Sequence, residues 1–316
     1  MTIKVVFFAS PDIAIPSFEK LLKNSDFEVV SLVTQPPKPA KRGKKIVDSN
    51  IKKLALQYGI EVLEPYKLSK EPDLIEKLKS YNPDFFVTFA FGQILSQEVL
   101  DIPKFHTINL HASLLPKYRG ANPICAALLS GDKYTGITTM ITVLELDAGD
   151  ICLTERIELD NDTDFPCLAN KIADKSPDLI IKTLKGLYEN TLKPSAQDSS
   201  CATFTKKLQK SDKELNFNNS VCDIHNKVRA LKGVNTCHFI YNDKIIKVLK
   251  TNFCDGLNCE NYKSGEIISV EKCGVTVKCA DGAILIENVK PEGKGEMPAY
   301  NWSLGSKIKC GDTIGC

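Results

Sequence analysis

The run I-K-V-V-F-F-A at residues 3–9, then Ser10-Pro11-Asp12, then F-E-V-V-S-L-V-T at residues 27–34, decides the architecture. The first run is apolar almost throughout, as in a strand buried on both faces of a parallel sheet. Ser10 and Pro11 form a helix start, a cap residue followed by proline at the first helical position. Ile15, Phe18, Leu21 and Leu22 then recur at helical spacing. Strand, helix and strand in this order open a doubly wound α/β sheet. The first turn carries no G-x-G-x-x-G, so nothing here cradles a dinucleotide, and a nicotinamide-dependent dehydrogenase is not expected.

Working outward, residues 48–58 form a helix stopped by Gly59. A short strand follows at 60–63 and a helix at 73–80. An apolar strand at 85–90 ends in Phe91-Gly92, a turn that lets a ligand approach the backbone. A helix is expected over 93–100 and a strand over 107–111. A sixth strand spans 136–144 and an extended segment 150–159. One long helix covers 168–188, with a break near Ser176-Pro177. Residues 190–204 are polar and lack a clean period, which suits an interdomain linker. A short helix at 223–232 and five strand-sized runs follow, at 237–241, 244–251, 265–270, 274–279 and 283–289. Short runs separated by Gly, Asn and Asp turns suit a small OB-like β-barrel, an architecture that commonly binds polynucleotides.

The length of 316 residues fits two domains. The expected division is 1–189, a linker at 190–205, and 206–316. With 43% hydrophobic and 25% charged residues the composition is that of a soluble globular protein. A net charge of +2 is too small to imply nucleic acid by itself. The excess is uneven, because residues 206–316 carry net +4 and the remainder net −2. No stretch reaches membrane-spanning length, and the N-terminus lacks a signal-peptide layout. A cytoplasmic monomer without membrane contact is expected. The twelve cysteines include no C-x-x-C pair and no zinc-finger spacing, so reduced thiols and no metal are expected.

Chemistry concentrates in T-I-N-L-H-A-S-L-L-P at residues 107–116 and in D-A-G-D at 147–150. Alternation along a strand puts Asn109 and His111 on one face. Asp147 arrives at the end of the next strand, followed by Ala-Gly-Asp. An amide N–H can donate to a developing oxyanion, an imidazole can move a proton near neutral pH, and a carboxylate can orient that imidazole. No serine or cysteine here has a nucleophile-elbow pattern, so the nucleophile belongs to a substrate, an amine being the simplest. Taken alone, an N-x-H could equally complete hydrogen bonds at a strand end. Residues 35–46, Q-P-P-K-P-A-K-R-G-K-K-I, form a basic, proline-stiffened loop. Such a loop is either a solvated surface or a clamp for a phosphate backbone.

The combination Asn109/His111, Ser113–Pro116 and Asp147/Gly149/Asp150 resembles the formyltransferases that use 10-formyltetrahydrofolate. Over nearly the full chain the resemblance is to the methionyl-tRNA formyltransferases. It is strongest at 1–45 and 85–151 and weaker after 205. The family's Rossmann-like formyltransferase domain, with a mostly parallel sheet, is then expected ahead of the OB-like barrel. The resemblance implies Asn109, His111 and Asp147 as catalytic residues. It places Phe91, Gly92, Ser113, Leu114, Leu115 and Pro116 along the folate pocket. It also places Lys41, Arg42, Lys44 and Lys45 against the acceptor end of a tRNA. The implied reaction moves a formyl group from 10-formyltetrahydrofolate to the α-amine of methionyl initiator tRNA. A sugar-nucleotide N-formyltransferase would share the trio but lack Arg42-Gly43-Lys44-Lys45. A glycinamide ribonucleotide formyltransferase typically ends after the first domain. A non-catalytic folate or RNA binder would carry the trio only as a relic. The family commonly has a small residue where Asn122 stands and Pro-Trp where Gly233-Val234-Asn235 stands.

Overall fold

The computed structural model describes residues 2–37, 47–254 and 256–315. The basic stretch 38–46, with Lys41, Arg42, Lys44 and Lys45, lies outside the described residues. The chain forms two compact units. The first comprises residues 1–123, 134–158 and 169–205; the second comprises 124–133, 159–168 and 206–316. Two stretches from the span expected for the first domain, 124–133 and 159–168, thus group with the second unit.

The first unit holds a seven-stranded sheet in the order β3-β2-β1-β4-β5-β7-β8. Its strands are β1 (Ile3–Ala9), β2 (Phe27–Val33), β3 (Glu61–Leu63), β4 (Phe85–Phe89), β5 (His106–His111), β7 (Tyr134–Ile141) and β8 (Ile151–Glu158). A two-residue strand, β6 (Arg119–Gly120), pairs separately and in parallel with β9 (Phe204–Thr205). The first five sheet strands are parallel, while β7 runs antiparallel to both of its neighbours, β5 and β8. Apolar runs explain the parallel part: every residue of β4 is buried, and Phe8 meets Phe86 at 4.9 Å between ring centroids. The crossover helices are α1 (Ile15–Lys23), α2 (Asn50–Gln57), α3 (Pro72–Ser80) and α4 (Gln97–Leu100). The strand order reverses between β1 and β4. In open α/β sheets, the crevice beyond the carboxyl ends of such strands receives ligands.

Three local expectations about helices are corrected. Ser10 does not cap a helix that starts at Pro11: Pro11 itself stands at the N-cap of the turn Asp12–Ala14 ahead of α1, and the Ser10 hydroxyl instead accepts from Gln35 N at 3.0 Å. The helix expected at 93–100 starts only at Gln97, because the Gln93 side chain ties down the preceding loop. Its Oε1 accepts from Leu68 N at 2.9 Å and its Nε2 donates to Pro65 O at 2.8 Å. The expected break at Pro177 is absent. With α5 at Pro123–Leu129, the next helix, α6, runs unbroken over Phe165–Tyr188. Ile172, Ile180 and Leu184 are fully buried on both sides of the proline, and Ser176 Oγ donates to Ile172 O at 2.6 Å. This burial on both flanks outweighs an interior proline's local cost of about 3 kcal/mol.

The second unit follows the strand-sized runs closely. It contains α7 (Val221–Leu231), β10 (His238–Tyr241), β11 (Lys244–Phe253), β12 (Ile267–Glu271), β13 (Gly274–Lys278), β14 (Ala283–Pro291), β15 (Met297–Pro298) and α8 (Ala299–Ser306). The antiparallel order is β10-β11-β14-β13-β12, with β15 added on β14. One apolar core joins all five main strands through Phe239, Val248, Ile267, Val277 and Ile286, with Leu231 of α7 and Trp302 of α8. Among the described residues, no helix is long and apolar enough to cross a membrane.

The cysteines separate by burial. Cys125, Cys152, Cys237, Cys259 and Cys279 are buried, and desolvation pushes the thiol of Cys125 up to about 11 and those of Cys152, Cys237 and Cys279 up to about 12. Cys167, Cys201, Cys222, Cys273 and Cys310 are exposed. Because the thiolate is the reactive form, brief alkylation of the native protein at about pH 8 should label these five and spare Cys125, Cys152, Cys237 and Cys279. Peptide mass spectrometry reads the outcome. Equal labelling of Cys237 would show that the core of the second unit opens on that timescale.

Candidate active site

Asn109 and His111 lie on β5, whose neighbours are β4 and β7. Thr88 of β4 stands opposite Asn109, and its hydroxyl donates to Asn109 Oδ1 at 2.9 Å. This bond fixes the amide, so Nδ2 is the end left to donate. The sequence offered no signal for Thr88, which sits within an otherwise apolar run. The site contact comes from strand pairing alone.

His111 is 5% exposed, and its Nε2 lies 2.9 Å from the carbonyl oxygen of Tyr118. A carbonyl can only accept, so Nε2 carries the proton. The other ring nitrogen, Nδ1, faces Asp147 Oδ2 at 3.6 Å, slightly beyond hydrogen-bond length. A neutral imidazole would present a lone pair to the carboxylate. One added proton makes the two groups complementary.

Asp147 does not sit at a strand end. The expected strand stops at Ile141, and Asp147 lies in the loop that joins β7 to the antiparallel β8. Its Oδ2 also accepts from the backbone N–H of Gly120 at 2.7 Å. Its φ of +49° lies in the left-handed region, uncommon for a residue with a side chain. Gly149 closes the loop, because a Cβ there would collide with the carbonyl oxygen of Ile141.

The Ser113–Pro116 turn is self-contained. Ser113 is fully buried, and its Oγ donates to Lys117 O at 2.6 Å. Thr138 Oγ1 donates to Ser113 O at 2.7 Å and accepts from Leu115 N at 3.1 Å. Leu114 packs close to Gly136, and the Leu115–Pro116 peptide is cis. Phe91 is 4% exposed and packs edge-on against Phe8 at 5.4 Å, so its ring belongs to the core. Its carbonyl accepts from Gln35 Nε2 at 2.7 Å. Gly92 has φ +80°, and a Cβ there would strike that same Gln35 amide. Phe91 and Gly92 follow the carboxyl end of β4 and so share a sheet edge with the end of β5. The structure thus gathers Asn109, His111 and Asp147 and places both turns at that edge.

The stretch 190–205 is hydrogen-bonded into the first unit. Ser195 exchanges two backbone bonds with Ile151, and Arg119 N donates to Thr203 O at 2.8 Å. Gln197 from this stretch reaches the Asp147 loop. Its partners lie about fifty and eighty residues away, so no local pattern could single it out.

Residues 3–184 match the family described as formyl transferase, and residues 207–307 match its C-terminal domain. The methionyl-tRNA formyltransferase of Clostridium botulinum is 42% identical over 292 residues, covering 92% of this chain and 93% of that protein. The methionyl-tRNA formyltransferase of Clostridium tetani is 38% identical over 308 residues, covering 98% of both. Among solved structures, the N-formyltransferase of Helicobacter canadensis superposes with a TM-score of 0.68 at 18% identity, covering 90% of this chain and 99% of that one. Identity at that level speaks for the fold alone. By relatives that match nearly its whole length and by family models that match both of its domains, the chain belongs to the methionyl-tRNA formyltransferase family.

Proposed function

We propose that this chain transfers the formyl group of 10-formyltetrahydrofolate to the α-amine of methionine carried by initiator tRNA. The observation that carries the proposal is the convergence of Asn109, His111 and Asp147 at one sheet edge, with His111 Nδ1 and Asp147 Oδ2 at 3.6 Å. The free amine attacks the formyl carbon. Asn109 Nδ2 donates to the oxyanion that forms. The proton leaving the amine is held between His111 Nδ1 and Asp147 Oδ2. It passes to N10 of the folate as the carbon–nitrogen bond breaks, so the products are the formamide and tetrahydrofolate. Phe91, Gly92 and the Ser113–Pro116 turn shape the folate pocket, mainly through backbone, since the Ser113 hydroxyl is already engaged. The reaction belongs to translation initiation in the cytoplasm, and the chain is expected to act as a monomer.

Incubation with 10-formyltetrahydrofolate and charged initiator tRNA tests this directly, with an amino-sugar nucleotide as the parallel acceptor. Formylation of the sugar and not of the tRNA would overturn it.

Arg42 provides a second check. A tRNA end brings phosphates to the site, whereas folate does not require a cluster of basic side chains. Guanidinium forms paired bonds to phosphate or to a base edge, while Lys41, Lys44 and Lys45 add sequence-blind charge. Arg42→Ala should weaken tRNA binding and leave folate binding nearly unchanged. The log–log salt dependence of tRNA affinity should flatten by about 0.7–0.9 per lost phosphate contact. Equal affinities and equal slopes for both proteins would leave the basic segment without this role.

A further inference from the structure

We propose that Gln197 is a positioning residue for the reaction. It acts by holding the backbone of the loop that carries Asp147, and the proposal rests on the assignment of Asp147 to the proton-transfer step. Both ends of the Gln197 amide are engaged. Nε2 donates to Asp147 O at 2.8 Å and to Gly149 O at 2.7 Å. Oε1 accepts from Arg119 Nε at 3.1 Å and Arg119 Nη2 at 2.9 Å. These partners fix the orientation of the amide, because carbonyls only accept and guanidinium only donates.

Arg119 gives the clamp a rigid base. It is 1% exposed, the largest fully buried side chain among the described residues. Its backbone N–H donates to Thr203 O, and Tyr118 N donates to Thr203 Oγ1, both at 2.8 Å. The next residue, Gly120, donates its N–H to Asp147 Oδ2. The bonds therefore close a ring that runs from Asp147 Oδ2 to Gly120, along the chain to Arg119, through its guanidinium to Gln197, and back to Asp147 O. One side of the ring holds the carboxylate and the other holds the main chain behind it.

Such a ring answers a specific need. Asp147 has φ +49° and sits in a loop between two antiparallel strands. Backbone in this region persists where its surroundings over-determine it. With the Nε2 bonds removed, the loop can relax, and Oδ2 moves relative to His111 Nδ1. Small displacements of a reacting group cost large factors in rate. A second consequence concerns assembly of the site. Gln197 lies in the 190–205 stretch, so the active site is complete only when that stretch is docked along β6.

Gln197→Glu separates this role from mere support of Arg119. A carboxylate still accepts both guanidinium bonds, so the buried arginine stays paired and the protein should fold. It cannot donate to the two carbonyls. The expected result is a kcat lower by roughly ten- to a hundredfold with KM for folate and tRNA changed little, and a thermal midpoint near wild type. The same substitution made in Asp147→Asn should lower kcat by less than twofold, because residues that act through one another are not additive. Wild-type kcat in Gln197→Glu would overturn the proposal. So would an equal loss in both backgrounds, since it would show Gln197 acting elsewhere. If Asp147→Asn alone has wild-type turnover, it is the assignment of Asp147 that fails.

Discussion

Asn109→Ala is expected to lower turnover by roughly 10²–10³-fold, the loss that follows removal of one oxyanion donor. Thr88 donates to Asn109 Oδ1 at 2.9 Å, which leaves Nδ2 as the end that can donate to a substrate. The amide is fixed before substrate arrives. Its hydrogen bond to the tetrahedral oxyanion is stronger than to the ground-state carbonyl, so the loss should fall on kcat and hardly on folate affinity. Single-turnover rates and folate titration on the same variant measure the two quantities. Near-normal turnover would remove Asn109 from this role. Thr88→Val offers a graded control, since it leaves Asn109 in place but frees the amide to rotate, and its loss should be smaller.

Asp147→Asn is expected to slow turnover by roughly 10²-fold or more, within the range that general acid–base groups supply. The substitution keeps the shape, and an amide oxygen can still accept from Gly120 N–H, so the loop should stay in place. The negative charge is what disappears. His111 Nε2 is committed to Tyr118 O, so Nδ1 is the nitrogen that gains the proton, and nothing then neutralises it. The pH–rate profile should also change form, because the proton-holding pair no longer exists as a unit. A profile that overlays the wild type would take the carboxylate out of the mechanism.

Much of the fold was legible because it is written in short-range periodicity. The apolar run of β1, the alternation along β11 and the spacing within α1 report burial directly. The errors at α4 and α6 arose where long-range contacts overrode local preference. Gln93 was committed to the 65–68 loop rather than to a helix, and the core on both flanks of Pro177 kept α6 whole.

The site divides along the same line. Asn109 and His111 could be placed together from sequence because they lie two residues apart on one strand, where a pleat puts them on one face. Asp147 could be named as their partner but not located, since a strand was expected to run on to Leu144 and the chain instead turns out at Ile141. Thr88, the Tyr118 carbonyl, the Gly120 N–H and Gln197 were invisible. Each contributes through a hydrogen bond set by strand pairing, by a backbone conformation or by a segment dozens of residues away. The sequence by itself determined which chemical groups are present and the order of the strands and helices that carry them. The tertiary structure alone decided which ring nitrogen of His111 faces Asp147 and what holds that loop, because hydrogen-bond direction depends on where atoms stand in space and not on how far apart they stand along the chain.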